Sequence, residues 1–217
     1  ASQVTKWTAD SDRRLHRVYC YLSGALDQVL TGELATSDRE VARIQAWPDA
    51  DLNGCHLTTK STSGFFLNIV GSNGRIFPLG WGSKKQGATA QHTAEAELIS
   101  LASCLRSELI PVQSLMQEIL QRPVEAELLE DNAATIIAVN RGYSLAMRHV
   151  RRTQRTSLGL IHDMITEEPE EGQGRIRPIK ANTADHLGDA FTKELDPRAF
   201  KDAMTAIGMR TMSEDTA

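Results

Sequence analysis

Several things are scarce in this sequence. Cysteine occurs only at Cys20, Cys55 and Cys104, an odd number at wide spacing, which argues against a disulfide framework and points to a reducing compartment. The nearest zinc-like set, His16 and Cys20 with Cys55 and His56, has no C-x-x-C spacing behind it, and the thiols read as small buried or half-buried groups. No stretch approaches the ~18 apolar residues of a membrane span, and the start ASQVTKWTADSDRR lacks the charged-then-apolar order of a signal peptide. The chain opens without Met, as an excised fragment or a processed product would. Positive charge is also short: 24 Lys and Arg against 28 Asp and Glu leave a formal net charge of −4. A nucleic-acid partner would therefore have to be met by a local basic patch.

What is present is an alternation of strand and helix signals over 217 residues, enough for one large domain or a domain with an extension. SDRRLHRVYCYLSGALDQVLTG carries Leu15, Val18, Tyr19, Leu22, Leu26, Val29 and Leu30 at helical spacing, with Asp10 or Ser11 as N-cap and a stop at Gly32. VARIQAWPD and TSGFFLNIVGSNGRIFPLGWGS predict three antiparallel strands, the last two joined at Asn73-Gly74. Residues 93–121 form the longest helical pattern, with Leu98, Leu101, Leu105, Leu109, Val112, Met116 and Ile119 on one stripe, mildly interrupted by Pro111. A strand VEAELLEDN, a helix AATIIAVNRG, a helix over 147–166, a strand RIRPIK and a helix around His186–Lys193 complete the order βββ-α-β-α-α-β-α. A mixed sheet with helices on its faces follows. The acidic run EEPEEG reads as a solvated turn.

Four acids sit where such a fold could gather them: Asp49 closing the first strand, Glu97 one turn inside the long helix, Asp131 ending the fourth strand, and Asp189 in the last helix. Carboxylates crowded into one small volume either stay partly protonated or bind divalent cations, and all-oxygen ligands suit Mg²⁺ or Mn²⁺ rather than zinc. Asp51 would share a face with Asp49 if the strand continued, but Pro48 and LNG predict that it stops, leaving Asp51 to cap or brace the turn. Glu95, two residues from Glu97, falls on a different helix face and into the first turn, where the helix dipole favours a negative charge.

The segments DADLNG, STSGFF, SKKQ with TAEAELIS, LLEDNAATIIA, RHV and ANTADHLGDAFTKEL resemble, in order and with similar gaps, the ribonuclease H domain that ends the polyprotein of copia-type LTR retrotransposons. The resemblance covers residues 41–196. It implies an α/β ribonuclease H-like fold, a five-stranded mixed sheet of order 3-2-1-4-5 flanked by helices, and cleavage of the RNA strand of RNA/DNA hybrids with two Mg²⁺ ions, for which Mn²⁺ can substitute. The family's catalytic, metal-holding carboxylates fall on Asp49, Glu97, Asp131 and Asp189, with Asp49 as the bridging ligand. LHRVYCYLSGALDQVL resembles the segment linking reverse transcriptase to ribonuclease H, so residues 1–40 are expected to be a connection helix and linker, and 197–217 a C-terminal helix and tail.

The implied partners are an RNA/DNA hybrid and the reverse transcriptase domain of the same polyprotein, with no membrane. The isolated domain is expected to be monomeric and intracellular, either cytoplasmic in a retroelement particle or nuclear. Lys84 and Lys85 are candidates for phosphate contacts, and Gln86 and Asn132 for 2′-hydroxyls. Arg148, His149, Arg151, Arg152 and Arg155 form the densest basic cluster, either a grip on the DNA strand or a solvated face pairing with EEPEE. Trp47, Trp81, Phe65 and Phe66 read as core. The loop histidine of many ribonucleases H is missing from PIKANTA; His186, three residues before Asp189, reads as a solvent-facing residue at a helix start or as an aid to proton transfer or product release. Two other functions remain open: an inactive connection domain that binds hybrid without cutting, and another nuclease or transposase of the same broad fold.

Overall fold

The computed structural model describes residues 6–55, 58–169 and 171–212; His56 and Glu170, invoked above, lie outside them. The chain divides into two compact units, Ala1–Leu30 with Met209–Ala217, and Thr31–Gly208. In the first, Thr8 rather than Asp10 or Ser11 caps helix α1 (Ala9–Ser23), because its hydroxyl accepts the Ser11 N–H while Ser11 Oγ accepts the Thr8 N–H. The helix stops at Gly24, eight residues before the expected Gly32, and Val29 and Leu30 belong to a short strand β1 (Gln28–Leu30).

The second unit holds a five-stranded sheet. Strands β2 (Arg43–Asp51), β3 (Thr62–Val70) and β4 (Ile76–Lys85) form an antiparallel meander, with Arg43 opposite Val70 and Asp51 opposite Thr62. Its β3–β4 turn places Asn73 and Gly74 at φ 59° and 74°, the left-handed conformations this dipeptide favours. Asp38, from the turn Thr36–Glu40, pins that hairpin. Its carboxylate accepts the Ala35 and Ser72 N–H groups at 2.7 and 2.8 Å, the Ser72 hydroxyl, and the Arg75 guanidinium.

Strand β2 does not stop at Pro48. The Ile44 N–H bonds Glu125 toward the parallel neighbour β5 (Ala126–Glu130), and alternation points residue 48 the same way. Pairing with β5 ends at Ala46 opposite Leu128, so at Pro48 there is no ladder bond for a missing N–H to break. Pairing with β3 carries the strand on to Asp51.

The long helical pattern is three pieces: α2 (Thr93–Cys104), a wide π-helical turn Leu105–Leu109, and α3 (Ile110–Leu120) with Pro111 in its first turn. The wide turn rotates the face that follows. Leu98, Leu101, Leu105 and Leu109 are fully buried, but beyond the turn Gln113 goes inward, donating to the Val124 and Gly174 carbonyls, while Ile119 is exposed. After β5, Asn132 caps α4 (Ala133–Arg141) by accepting the Ala134 and Thr135 N–H groups, and Gly142 closes it at φ 71°.

The helix expected over 147–166 is broken into α5 (Val150–Thr153) and α6 (Leu158–Thr166), because Arg155 turns to φ 54° and Ser157 starts a new cap. Strand β6 (Ile176–Lys180) adds in parallel to β5. The helix expected at 186–193 is instead a pair of tight 3₁₀ turns, Thr183–Asp185 and Leu187–Phe191, separated by the extended His186. Helix α7 (Pro197–Ala206), capped by Asp196, ends this unit, and β7 (Met209–Thr211) pairs with β1 in the other.

The sheet order is β4-β3-β2-β5-β6; numbered from its own first strand, this is the expected 3-2-1-4-5. The core lies between sheet and helices, around Ile44, Ala46, Leu67, Leu98, Leu101 and Leu128. Phe66 is fully buried but on the other face of the sheet from Leu67, stacked on Phe191, and Trp81, expected in the core, is 54% exposed. No helix among the described residues is long and apolar enough to cross a membrane.

Candidate active site

The register of β2 on β5 explains why acids so distant in sequence meet. Ala46 lies opposite Leu128, so three residues further along, Asp49 and Asp131 arrive at the same level just where the ladder has ended. α2 packs over these strand ends and delivers Glu97, so that Asp49, Glu97 and Asp131 bring carboxylate oxygens within 4.8 Å of one another. Asp49 is fully buried and Glu97 nearly so.

The turn Leu187–Phe191 brings the fourth acid. It lies so close to β2 that a Cβ on Gly188 would meet the Trp47 carbonyl at 2.6 Å and Asp49 Cβ at 2.9 Å. Phe191 stacks on Phe66 with ring centroids 6.0 Å apart, and Gly64 on β3 leaves room for Phe191 and Thr192. Asp189 thereby joins Asp49 and His186 in a second set whose ligand atoms also lie within 4.8 Å of one another. Asp49 is common to both sets.

Two side chains that the sequence reading left without a role complete the arrangement. Lys193 Nζ donates to Asp49 Oδ1 at 3.1 Å and Asp189 Oδ1 at 2.6 Å, and the Thr192 hydroxyl donates to Asp49 Oδ2. A third is Glu130, fully buried beside Asp131, with one oxygen accepting the Asn132 N–H at 2.9 Å and the other without a hydrogen-bond partner. The doubled acid in EDN was its only signal.

Burial, reinforced by the charges of Glu130, Asp49 and Asp131, pushes the Glu97 carboxyl up to about 10. Burial likewise raises Glu130 to about 8 and lifts Asp189 above the usual carboxylate range, with Asp49 adding to the latter. Burial works against the Lys193 ammonium, but its bonds to Asp189 and Asp49 outweigh it and hold it above an ordinary lysine. The cluster is thus short of positive charge. Its donors are hard oxygens on a shared central aspartate, and Glu97 Oε2, Glu130 Oε2 and His186 Nδ1 are buried without hydrogen-bond partners, a set that fits oxygen-seeking divalent cations.

The remaining expected site residues are scattered. Asp51 lines a cleft of about 350 Å³ with Glu97, Asp131, Asn132 and Lys193, but its carboxylate packs against Gly54, where a Cβ would meet it at 2.0 Å, so it braces the turn. Asn132 stands at the same cleft with its oxygen committed to capping α4. Gln86 is buried, and its amide donates to Ser63 Oγ and the Ala96 carbonyl; interior bonding takes the group expected to meet a 2′-hydroxyl. Lys84 and Lys85 end β4, Lys84 exposed and Lys85 donating to Cys55 Sγ at 2.7 Å. Arg148, Arg151, Arg152 and Arg155 are exposed, and in the acidic run Glu168 pairs with Arg175 instead. Glu95 does occupy the first turn of α2, buried, accepting the Gln91 N–H at 2.8 Å and facing His149 Nε2 at 3.2 Å, which ties the basic segment to α2. His186 is buried, not solvent-facing.

No protein-family model matches the chain. Among curated proteins it is 28% identical over 204 residues to the retrovirus-related Pol polyprotein from transposon RE2 of Arabidopsis thaliana, and 25% identical over 204 residues to that from transposon RE1. Its homologues are retrotransposon Pol polyproteins. The matches take in 93% of this chain but only 13% of each relative. Similar solved structures include RNase H1 from the halophilic archaeon Halobacterium salinarum NRC-1 (17% identity, TM-score 0.42, 74% of this chain and 98% of that one). Another is LC11-RNase H1 isolated from compost (15% identity, TM-score 0.46, 75% and 98%). The larger unit has a ribonuclease H-like α/β fold, by its strand order and register.

Proposed function

We propose that this Pol-related chain is an endoribonuclease that hydrolyses the RNA strand of RNA/DNA hybrids, as the ribonuclease H domain of a retrotransposon reverse transcriptase. The observation that carries this reading is the meeting of Asp49, Glu97, Asp131 and Asp189 around one buried aspartate. Bound Mg²⁺ or Mn²⁺ supplies the charge that activates an attacking water and stabilises the leaving 3′ oxygen. Asp49, common to both groups of ligand atoms, would serve both cations, Glu97 and Asp131 would hold one, and Asp189 would support the other. Thr192 fixes the rotamer of Asp49 through its second oxygen, and the β2–β3 ladder keeps that aspartate from retreating. The hybrid lies across the cleft at Asn132 and Lys193, with the exposed arginines 148, 151 and 152 and the lysines 84 and 85 on its phosphates. The polymerase domain of the same polyprotein is the natural neighbour.

A second reading, a connection domain that binds hybrid without cutting, draws on the fact that Lys193 already gives Asp49 and Asp189 a shared internal counter-ion. End-labelled RNA/DNA hybrid, single-stranded RNA and duplex RNA, incubated with Mg²⁺, Mn²⁺ or EDTA, separate the two. Cleavage of the hybrid alone is expected, stopped by EDTA and lowered by roughly a thousandfold in Asp49→Asn and Asp131→Asn. Hybrid that is bound yet intact with both cations would establish the second reading.

A further inference from the structure

On the Asp49–Asp189 side of the cluster, the imidazole of His186 is the unusual component. Its side chain is fully buried. Nε2 lies 3.0 Å from the Leu129 carbonyl oxygen, and since a carbonyl only accepts, Nε2 carries the hydrogen. In the neutral ring Nδ1 is then the lone-pair nitrogen. That atom is buried, has no hydrogen-bond partner, and at 3.7 Å from Asp189 Oδ1 is beyond hydrogen-bond length.

The ring is also held in place. Trp47 meets it edge-on with centroids 5.6 Å apart, and Gly188 leaves it room, since a Cβ there would lie 2.9 Å from His186 Cε1. A histidine that donates one N–H to a backbone carbonyl and turns its other nitrogen toward carboxylates has the orientation and tautomer of a metal ligand. As a solvated polar residue it would have been exposed, and a core histidine ordinarily has both nitrogens satisfied; here the unsatisfied nitrogen is the one that faces the Asp189 carboxylate, and His186, Asp49 and Asp189 bring ligand atoms within 4.8 Å of one another.

We propose that His186 Nδ1 is a direct ligand of a divalent cation held with Asp49 and Asp189, giving this side of the cluster one nitrogen and two carboxylate donors and a preference for Mn²⁺ over Mg²⁺. Imidazole suits first-row transition ions, whereas Mg²⁺ keeps to oxygen ligands and water. The inference rests on the two-cation reading, because it takes Asp49 and Asp189 as ligands. Lys193, which spans the same two carboxylates, yields that position to the cation.

The test is pulsed electron paramagnetic resonance on the full chain loaded with Mn²⁺, with calorimetric titrations of Mn²⁺ and Mg²⁺ alongside. A directly coordinated imidazole ¹⁴N is expected, replaced by the ¹⁵N pattern when histidine alone is ¹⁵N-labelled. The signal is expected to vanish in His186→Gln, whose Mn²⁺ affinity falls by roughly tenfold or more while Mg²⁺ affinity moves much less. The labelled wild-type spectrum does not depend on how well the variant folds. Bound Mn²⁺ with no nitrogen coupling, or a coupling that persists in His186→Gln, overturns the His186 assignment and leaves the carboxylate site standing. Failure of the chain to bind Mn²⁺ at all overturns both.

Discussion

The ammonium of Lys193 crosses 144 positions of sequence to sit 3.1 Å from Asp49 Oδ1. It makes the cation-free cluster tolerable, because two of its carboxylates share one internal counter-ion. Lys193→Met is therefore expected to lower stability in EDTA by about 1 kcal/mol, a modest loss because a third of the side chain is exposed and screened. The same variant should gain more thermal stability than the wild type on adding Mg²⁺ or Mn²⁺. Melting curves in EDTA and in each cation check this; an unchanged cation-induced shift would show that the ammonium and the cation do not compete.

The basic segment makes a separate prediction. Arg151 and Arg152 lie exposed on α5, a short helix tied to α2 through His149 and Glu95. If these arginines meet phosphates, Arg151→Ala and Arg152→Ala should each weaken hybrid binding at all sequences alike and flatten its salt dependence by roughly one unit of slope. Binding isotherms across a salt series give the slope directly. Stability should be unaltered, since neither guanidinium packs inward.

Gly188 sets the distance between the turn that carries Asp189 and the strand that carries Asp49. Adding one methyl there meets the Trp47 carbonyl at 2.6 Å and both Asp49 Cβ and His186 Cε1 at 2.9 Å, none of them the free end of a flexible side chain. Gly188→Ala should cost about 1–3 kcal/mol of stability and reduce cleavage more than that loss explains, because Asp189 and His186 are pushed off Asp49 together. Cleavage assayed well below the variant's melting temperature distinguishes displacement from unfolding.

Asp38 gives a pH dependence. The Ser72 hydroxyl, the Ala35 and Ser72 N–H groups and then Arg75 hold its carboxyl well below the usual range. A carboxyl depressed on folding contributes stability that is present above its ordinary pKa and lost as pH falls toward the folded value. Asp38→Asn should thus melt several degrees lower at neutral pH, and the gap should narrow once pH drops below roughly 4. Thermal melts of both proteins over an acid series provide the check; a gap that stays constant would mean that the charge contributes nothing.

Much of the fold was legible because local signals agreed with one another. Asn73-Gly74 marked the hairpin, the Leu98–Leu109 stripe marked the central helix, and the contexts around four acids supplied the strand order. What was not legible depended on neighbours. Pro48 continues its strand only because the pairing of β2 with β5 has already ended at Ala46, and no local pattern carries that information. The wide turn at Leu105–Leu109 shifts the helix face, so Gln113 turned inward where the stripe had named Val112 and Met116. Spacing put His186 near Asp189 but could not show that the Leu129 carbonyl stood over one of its nitrogens. Glu130 and Lys193 were hidden in plain motifs, one behind its neighbour Asp131 and the other behind the Asp189 that it bonds.

All five strands are complete at Lys180, before the segment that brings His186, Asp189, Thr192 and Lys193. The site is thus assembled from a finished platform and a late-arriving clasp. A nick in the exposed link at Asn182–Asp185 would leave the two pieces able to find each other by the Phe191–Phe66 stack and the Gly64 and Gly188 contacts. On the ribonuclease H reading, a platform that keeps Asp49, Glu97 and Asp131 together is expected to stay silent until a short peptide carrying His186, Asp189, Thr192 and Lys193 restores the rest.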